Sequence, residues 1–175
     1  KSFFDDPAML APPRAVRLHF DGGAFVLRSP EPLKPYARCI GEWLEHWARQ
    51  APERIFLADR ASGDAPWSTI TYRDALKQVR SAAAWIHAQG LSSERPLVIL
   101  SDNSVEHALF ALAAQHVGVP SAAISPAYSL ISQDYDKLKH VVKTLTPGLV
   151  FASDALRYGR AMLATLDESV ELVTT

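Results

Sequence analysis

Residues 97–124, "LVILSDNSVEHALFALAAQHVGVPSAAI", decide how the rest of the chain is read. The stretch opens with "LVILS" (97–101), a short run that is apolar at almost every position. Such a run, without alternation, suits a strand buried on both faces of a parallel sheet. Val105, Leu109, Leu112 and Ala113 then recur at helical spacing. Asn103, with Glu106 three residues on, is the expected cap of that helix. The small, apolar "SAAI" (121–124) follows it and reads as a second strand. Strand, helix and strand in this order make one βαβ unit.

Toward the C-terminus the same rhythm continues. The chain breaks into a loop at "SPAYS" (125–129), and a helix is expected from about Asp134, with Tyr135, Leu138, Val142 and Leu145 inward. Pro147-Gly148 end it, "LVFA" (149–152) is a strand, residues 155–166 form a helix, and "VELV" (170–173) is a last strand. The fold class predicted is therefore α/β: a doubly wound, mainly parallel sheet with flanking helices and right-handed crossovers.

Toward the N-terminus the pattern is more mixed. Ile40, Trp43, Leu44, Trp47 and Ala51 share one helical face, read as core, and Pro52 stops the helix. Residues 54–60 and 67–72 are strands around a turn at 61–66. Thr71 and Asp74 form a capping box for a helix through Leu76, Val79, Ala83 and Ile86, which Gly90 closes. Further upstream, Val16, Leu18 and Phe20 alternate with Arg17, His19 and Asp21 before Gly22-Gly23, a β-hairpin signal. "SPEPLKP" (29–35) has three prolines and reads as a linker. The expected organisation is an N-terminal hairpin and linker at 1–35 and an α/β domain at 36–175.

Composition bounds the function. The 175 residues are 48% hydrophobic and 21% charged, with net charge −1, so nothing points to nucleic acid or an anionic membrane as partner. No apolar run approaches the length of a membrane span. The single cysteine, Cys39, excludes an internal disulfide and fits a reducing cytoplasm; it is expected to be a small buried hydrophobe.

Local motifs supply no catalytic machinery. Phosphate loops need glycines so that backbone amides can wrap an anion. The eight glycines, at 22, 23, 41, 63, 90, 118, 148 and 159, fit no such loop. Asp102-Asn103-Ser104 opens a helix after a strand, yet Asp102 and Glu106 already put carboxylates there, so capping is the preferred reading. Asp134, Asp136 and His140 are the nearest approach to a metal cluster. Lys137, Lys139 and Lys143 are interleaved with them, which favours a solvated helix face with opposite-charge pairs. No catalytic, cofactor-binding or metal-ligating residue is assigned.

Two stretches together resemble a known superfamily. "ITYRDAL" (70–76) is similar to the early "LTYxEL" motif of adenylate-forming enzymes, which include acyl-CoA synthetases, luciferases and peptide-synthetase adenylation domains. "SDNSVEHALFALAAQHVGVPSAAISPAYS" (101–129) resembles the next landmark, with Asn103, Ser104 and Glu106 matching its start and Ala113, Ala114, Gly118 and Pro126 its middle and end. More narrowly, "LKPYARCIGEWLEHWARQAPER" (33–54) and "SPAYSLISQDYDKLKHVVKTLTPGLVFA" (125–152) look like bacterial feruloyl-CoA synthetases.

The resemblance implies an ATP-dependent ligase that converts a ferulate-like hydroxycinnamate to an acyl-adenylate and then to its coenzyme A thioester. ATP, magnesium and coenzyme A are implied for the whole enzyme, and no cofactor is expected for this piece. The superfamily's phosphate loop ending in Pro-Lys-Gly, its ribose-binding aspartate and its lid lysine have no counterpart here. The chain thus resembles an N-terminal subdomain cut before the active site, recombinant or proteolytic in origin. Its expected partners are the remaining subdomains of the same polypeptide and, for the whole enzyme, an aromatic carboxylic acid. Ser125, Tyr128 and Ser129 are the substrate-adjacent candidates, with packing the preferred role. An exposed apolar patch, or a homodimer hiding it, should mark the missing part. The alternatives are a stand-alone nucleotide-binding α/β domain and a non-catalytic interaction module.

Overall fold

A computed structural model of the chain describes residues 14–175. The chain divides into two compact units between Ala37 and Arg38. In the first, β1 (Val16–His19) pairs antiparallel with β2 (Phe25–Arg28), from Val16 opposite Arg28 to His19 opposite Phe25. The turn holds Gly22 and Gly23 both at φ +82°, a left-handed pair that side chains with a Cβ adopt only under strain. The Arg17 guanidinium lies 3.9 Å from the centre of the Phe25 ring.

The second unit begins with α1 (Ile40–Gln50), the antiparallel hairpin β3 (Ile55–Asp59) and β4 (Ser68–Thr71), and α2 (Tyr72–Ala88). There follow β5 (Leu97–Leu100), α3 (Val105–His116), β6 (Ser121–Ala123), α4 (Pro126–Leu130), α5 (Asp136–Leu145), β7 (Leu149–Ala152), α6 (Ala155–Thr165) and β8 (Glu171–Thr174). The last four strands form one parallel sheet in the order β6-β5-β7-β8. The α/β class and its N-terminal hairpin are as the sequence predicts.

The two central strands explain the sandwich. Every residue of β5 and β7 is at most 1% exposed. Leu97, Ile99, Leu149 and Phe151 face α2 and α3, meeting Val79, Ile86, Leu109 and Ala113. Val98, Leu100, Val150 and Ala152 face α5 and α6, meeting Leu138, Tyr158, Ala161 and Met162. Each such side chain removed from water contributes about 1.5–3 kcal/mol, so apolar side chains are favoured on both faces of these strands. Phe110 of α3 stacks on Phe151 with centroids 4.4 Å apart and planes 10° apart.

Several local expectations need correction. Of the α1 face, only Leu44 is buried; Ile40, Trp43 and Trp47 are 60%, 50% and 37% exposed. The helix packs on its neighbours through Leu44 and the Trp47–Tyr72 contact at 6.3 Å, which leaves the rest of the stripe in solvent. Cys39 is exposed, because it precedes α1 in extended conformation (φ −151°) rather than lying on the helix. The cap of α3 is Ser104, whose hydroxyl accepts from His107 N at 3.1 Å; Asn103 lies one residue too early.

Residues 125–129 are not a loop: Pro126, which has no N–H to leave unpaired, starts the short helix α4. α5 starts at Asp136, two residues later than expected, with Tyr135 before it in the left-handed region at φ +57°. A Ser132–Asp134 turn takes up those two residues: Ser132 Oγ accepts from Tyr135 N, and Asp134 Oδ1 accepts from Asp136 N.

Candidate functional site

In an open α/β sheet, ligands bind outside the carboxyl ends of the strands, where the strand order reverses. Here β5 leads through α3 to β6 on one side, and β7 leads through α6 to β8 on the other. The reversal therefore lies between β5 and β7, and its walls are Ser101–Ser104 and Ser153–Asp154.

This crevice is filled by the chain's own polar groups. Ser104 caps α3, and Asp154 Oδ1 accepts from both Leu156 N and Arg157 N at 2.9 Å, capping α6. Arg157 Nη1 donates to Asp102 Oδ2 at 2.7 Å, bridging the two loops. That hydrogen bond, reinforced by the Asp102 charge, raises the guanidinium pKa above its ordinary value. Buried Ser101 donates to Asp102 O at 2.6 Å, His107 Nδ1 lies 3.2 Å from the same oxygen, and Thr175 Oγ1 donates to Ser153 O at 2.7 Å.

The chemistry follows from the pairing. A polyphosphate needs free amide donors and net positive charge at helix starts. Both helix starts here spend their leading amides on Ser104 and Asp154, and Asp102 and Asp154 make the crevice acidic. Arg157, the cation in place, is already neutralised by Asp102. The arrangement knits strand ends together and offers an incoming phosphate little.

The predicted substrate-adjacent residues do not share one surface. Ser125 is exposed at the start of α4, without a side-chain capping bond. Tyr128 is half-buried against the α5–α6 layer, with Lys137 Nζ 5.5 Å from its ring centre. Ser129 is 5% exposed and points inward. On α5, Lys139 Nζ approaches Asp136 at 3.4 Å and donates to Asp134 O at 2.7 Å, the solvated opposite-charge face that the interleaving suggested.

Sequence reasoning missed the Asp102–Arg157 bridge, which has no local signal because its members come from different strand–helix units. It also missed an open groove of about 580 Å³ where the ends of β3 and β4 meet the first turns of α2 and α3. Asp59, Asp74 and Glu106 line that groove together with Arg60 and Lys77, so its charges are of mixed sign. Asp74, one of its lining residues, is fixed by the cap of α2: Asp74 N donates to Thr71 Oγ1 at 3.2 Å, and that hydroxyl donates to Asp74 Oδ2 at 2.9 Å.

Known proteins bear on this geometry. Residues 44–174 match the family described as AMP-binding enzyme. No curated protein matches the chain. Among solved structures, a fatty acyl-adenylate ligase from L. pneumophila, in complex with acyl adenylate and pyrophosphate, is similar over 78% of this chain and 23% of its own, with TM-score 0.64 and 14% identity. IdnL1 is similar over 81% of this chain and 26% of its own, with TM-score 0.61 and 26% identity. The N-terminal subdomain of Klebsiella oxytoca NpsA gives 77% and 30%, with TM-score 0.57 and 16% identity. The chain thus spans between 23% and 30% of these proteins' length. The fold is that of a part of the N-terminal subdomain of adenylate-forming ligases, and the chain belongs to the AMP-binding enzyme family.

Proposed function

We propose that this chain is the scaffold portion of an ATP-dependent acid–thiol ligase acting on hydroxycinnamates such as ferulate, and that it is inert alone. In the reaction the acid's carboxylate attacks the α-phosphorus of ATP, the bond to the β-phosphate oxygen breaks, and pyrophosphate leaves. Coenzyme A thiolate then attacks the acyl carbonyl and displaces AMP. Cationic donors, with the help that bound magnesium would supply, would hold the charge that shifts onto the leaving pyrophosphate. Those donors belong to other subdomains of the same polypeptide, and Ser125–Ser129 packs beside them rather than reacting.

The observation that carries this reading is the self-capped, charge-paired crevice between β5 and β7. Self-capped helix starts and the Asp102–Arg157 bridge occupy the place where an independent nucleotide-binding domain would take its phosphates. The choice of an aromatic acid rests on the sequence resemblance at 33–54 and 125–152.

A thermal melt of this chain with Mg-ATP and ferulate tests inertness. A ligand at about 100 times its dissociation constant adds roughly 2.7 kcal/mol, a shift of several degrees, whereas no shift is expected here. A clear shift overturns the scaffold reading. The substrate class is tested on the longer gene product, by mass detection of thioesters from ferulate, a long-chain fatty acid and an amino acid offered together. Preferential fatty acyl or aminoacyl product overturns it.

A further inference from the structure

The parallel sheet has two edges, and they are built differently. β6, on one side, consists of Ser121, Ala122 and Ala123 and directly follows Pro120. A very short strand beside a proline is a usual way of keeping an edge from pairing further. β8, on the other side, runs Glu-Leu-Val-Thr in unbroken register with β7, from Leu149 opposite Glu171 to Ala152 opposite Thr174. It has no proline, lysine or bulge, and Glu171 at its start is its one charge.

The outer side of β8 is open backbone. Glu171 N donates to Gly148 O at 3.1 Å, so the polar groups of Glu171 and Val173 point toward β7. The pleat then turns the N–H and C=O of Leu172 and Thr174 away from it. Among the described residues no strand pairs with that side. Both faces of the strand are also only partly covered. Leu172, opposite Val150 and so on the α5–α6 face, is 49% exposed. Val173, opposite Phe151, joins Ala82, Trp85 and Phe110 on the other face around an open groove of about 500 Å³.

We propose that β8 is an internal strand of a larger sheet. An extended apolar segment from the remaining subdomains of the same polypeptide pairs with its outer edge, and one large apolar side chain of that segment fills the groove at Trp85 and Phe110. This rests on the scaffold reading above, and the solved ligases that the chain resembles have the length to supply such a segment, since it spans between 23% and 30% of them. A strand fits because it brings a row of donors and acceptors to Leu172 and Thr174 and places side chains on alternate faces. A helix or loop laid in the groove would leave those amides and carbonyls unpaired.

Hydrogen exchange, read from fragment masses of this chain and of the longer gene product, tests the pairing. The Leu172 and Thr174 amides are expected to exchange freely in this chain and to be protected in the longer product, with no such gain at β6. Equal exchange of β8 in the two proteins overturns the proposal, and so does a gain confined to β6. Protection already present in this chain and rising with its concentration also overturns it, because a second copy is then the occupant. Thr174→Pro sharpens the test, since a proline is tolerated on an open edge but not between two strands. Its proteolytic cleavage rate should stay within about twofold of the parent in this chain and rise roughly tenfold in the longer product, where a carbonyl is left unpaired. Equal effects in both proteins overturn the proposal. These readouts do not involve substrate: ferulate thioester formed without β8 protection removes this proposal alone, whereas β8 protection in a product that makes no ferulate thioester upholds it and removes only the substrate assignment.

Discussion

α1 and α2 lie side by side, and both carry an apolar stripe at helical spacing, yet only one of them is a core helix. α2 buries Ala75, Val79, Ala83 and Ile86 at no more than 2% exposure, while α1 buries Leu44 and leaves Ile40, Trp43 and Trp47 in solvent. The difference lies in their neighbours. α2 has the sheet on one side and α3 along its length, whereas α1 rests on the rim of that layer. Periodicity tells which face of a helix is apolar; only the topology tells whether anything covers it.

Substitutions can break or sharpen that contrast. Ile86→Ala on α2 should have the largest effect, about 2–5 kcal/mol by urea denaturation, since it opens a cavity against β5 and β7. Leu44→Ala should come next at roughly 2–3 kcal/mol, because Leu44 is the buried side chain of α1. Ser104→Ala should cost about 1 kcal/mol, the usual worth of a helix cap, whereas Asn103→Ala should be near neutral. Trp43→Ser should stay within about 0.5 kcal/mol, as expected of a surface position. A loss from Trp43→Ser as large as that from Ile86→Ala would show that α1 is covered in solution.

The smallest effect concerns charge. Glu45 of α1 accepts from Arg80 of α2 at 3.0 Å, and that hydrogen bond lowers the carboxyl pKa despite opposing desolvation. A depressed folded-state pKa means the stabilisation is present above the ordinary glutamate range and lost as pH falls through the lowered value. Glu45→Gln should therefore flatten the acid limb of a stability–pH profile by a few tenths of a kcal/mol, with no change at neutral pH in the slope. An acid limb unchanged by the substitution would separate the two helices electrostatically.

The parallel sheet was legible because β5 and β7 are apolar at every position, and short runs without alternation suit strands buried on both faces. The Thr71–Asp74 cap and the Gly90 stop were legible because each is a local bond or a local dihedral. Gly90 does lie at φ +64°. The α3 cap was misread by one residue, since Asn103 and Ser104 are both good caps and only the extended backbone at Ser104 (φ −152°) decides between them. The left-handed Tyr135 was hidden because tyrosine gives no sign of that conformation. Its burial side by side with Leu138 and Val142, together with the Ser132–Asp134 turn, imposes it.

The candidate site was less legible than the fold. A bridge such as Asp102–Arg157 depends on two loops meeting, and loops meet only once strand order is known. Ser129 was named for its place after a strand, but its inward direction depends on α4 forming, which Pro126 alone does not announce.

The sheet order also sets a timetable. β5 is the first of the four parallel strands to leave the ribosome, yet it is flanked in the finished sheet by β6 and by β7, whose Leu149 lies opposite Leu97. At roughly 5–20 residues per second, one edge of the most apolar strand waits several seconds for its partner. During that interval "LVIL" is open to any other unpaired strand, so newly made chains should depend on holding factors most strongly between the emergence of α3 and that of β7.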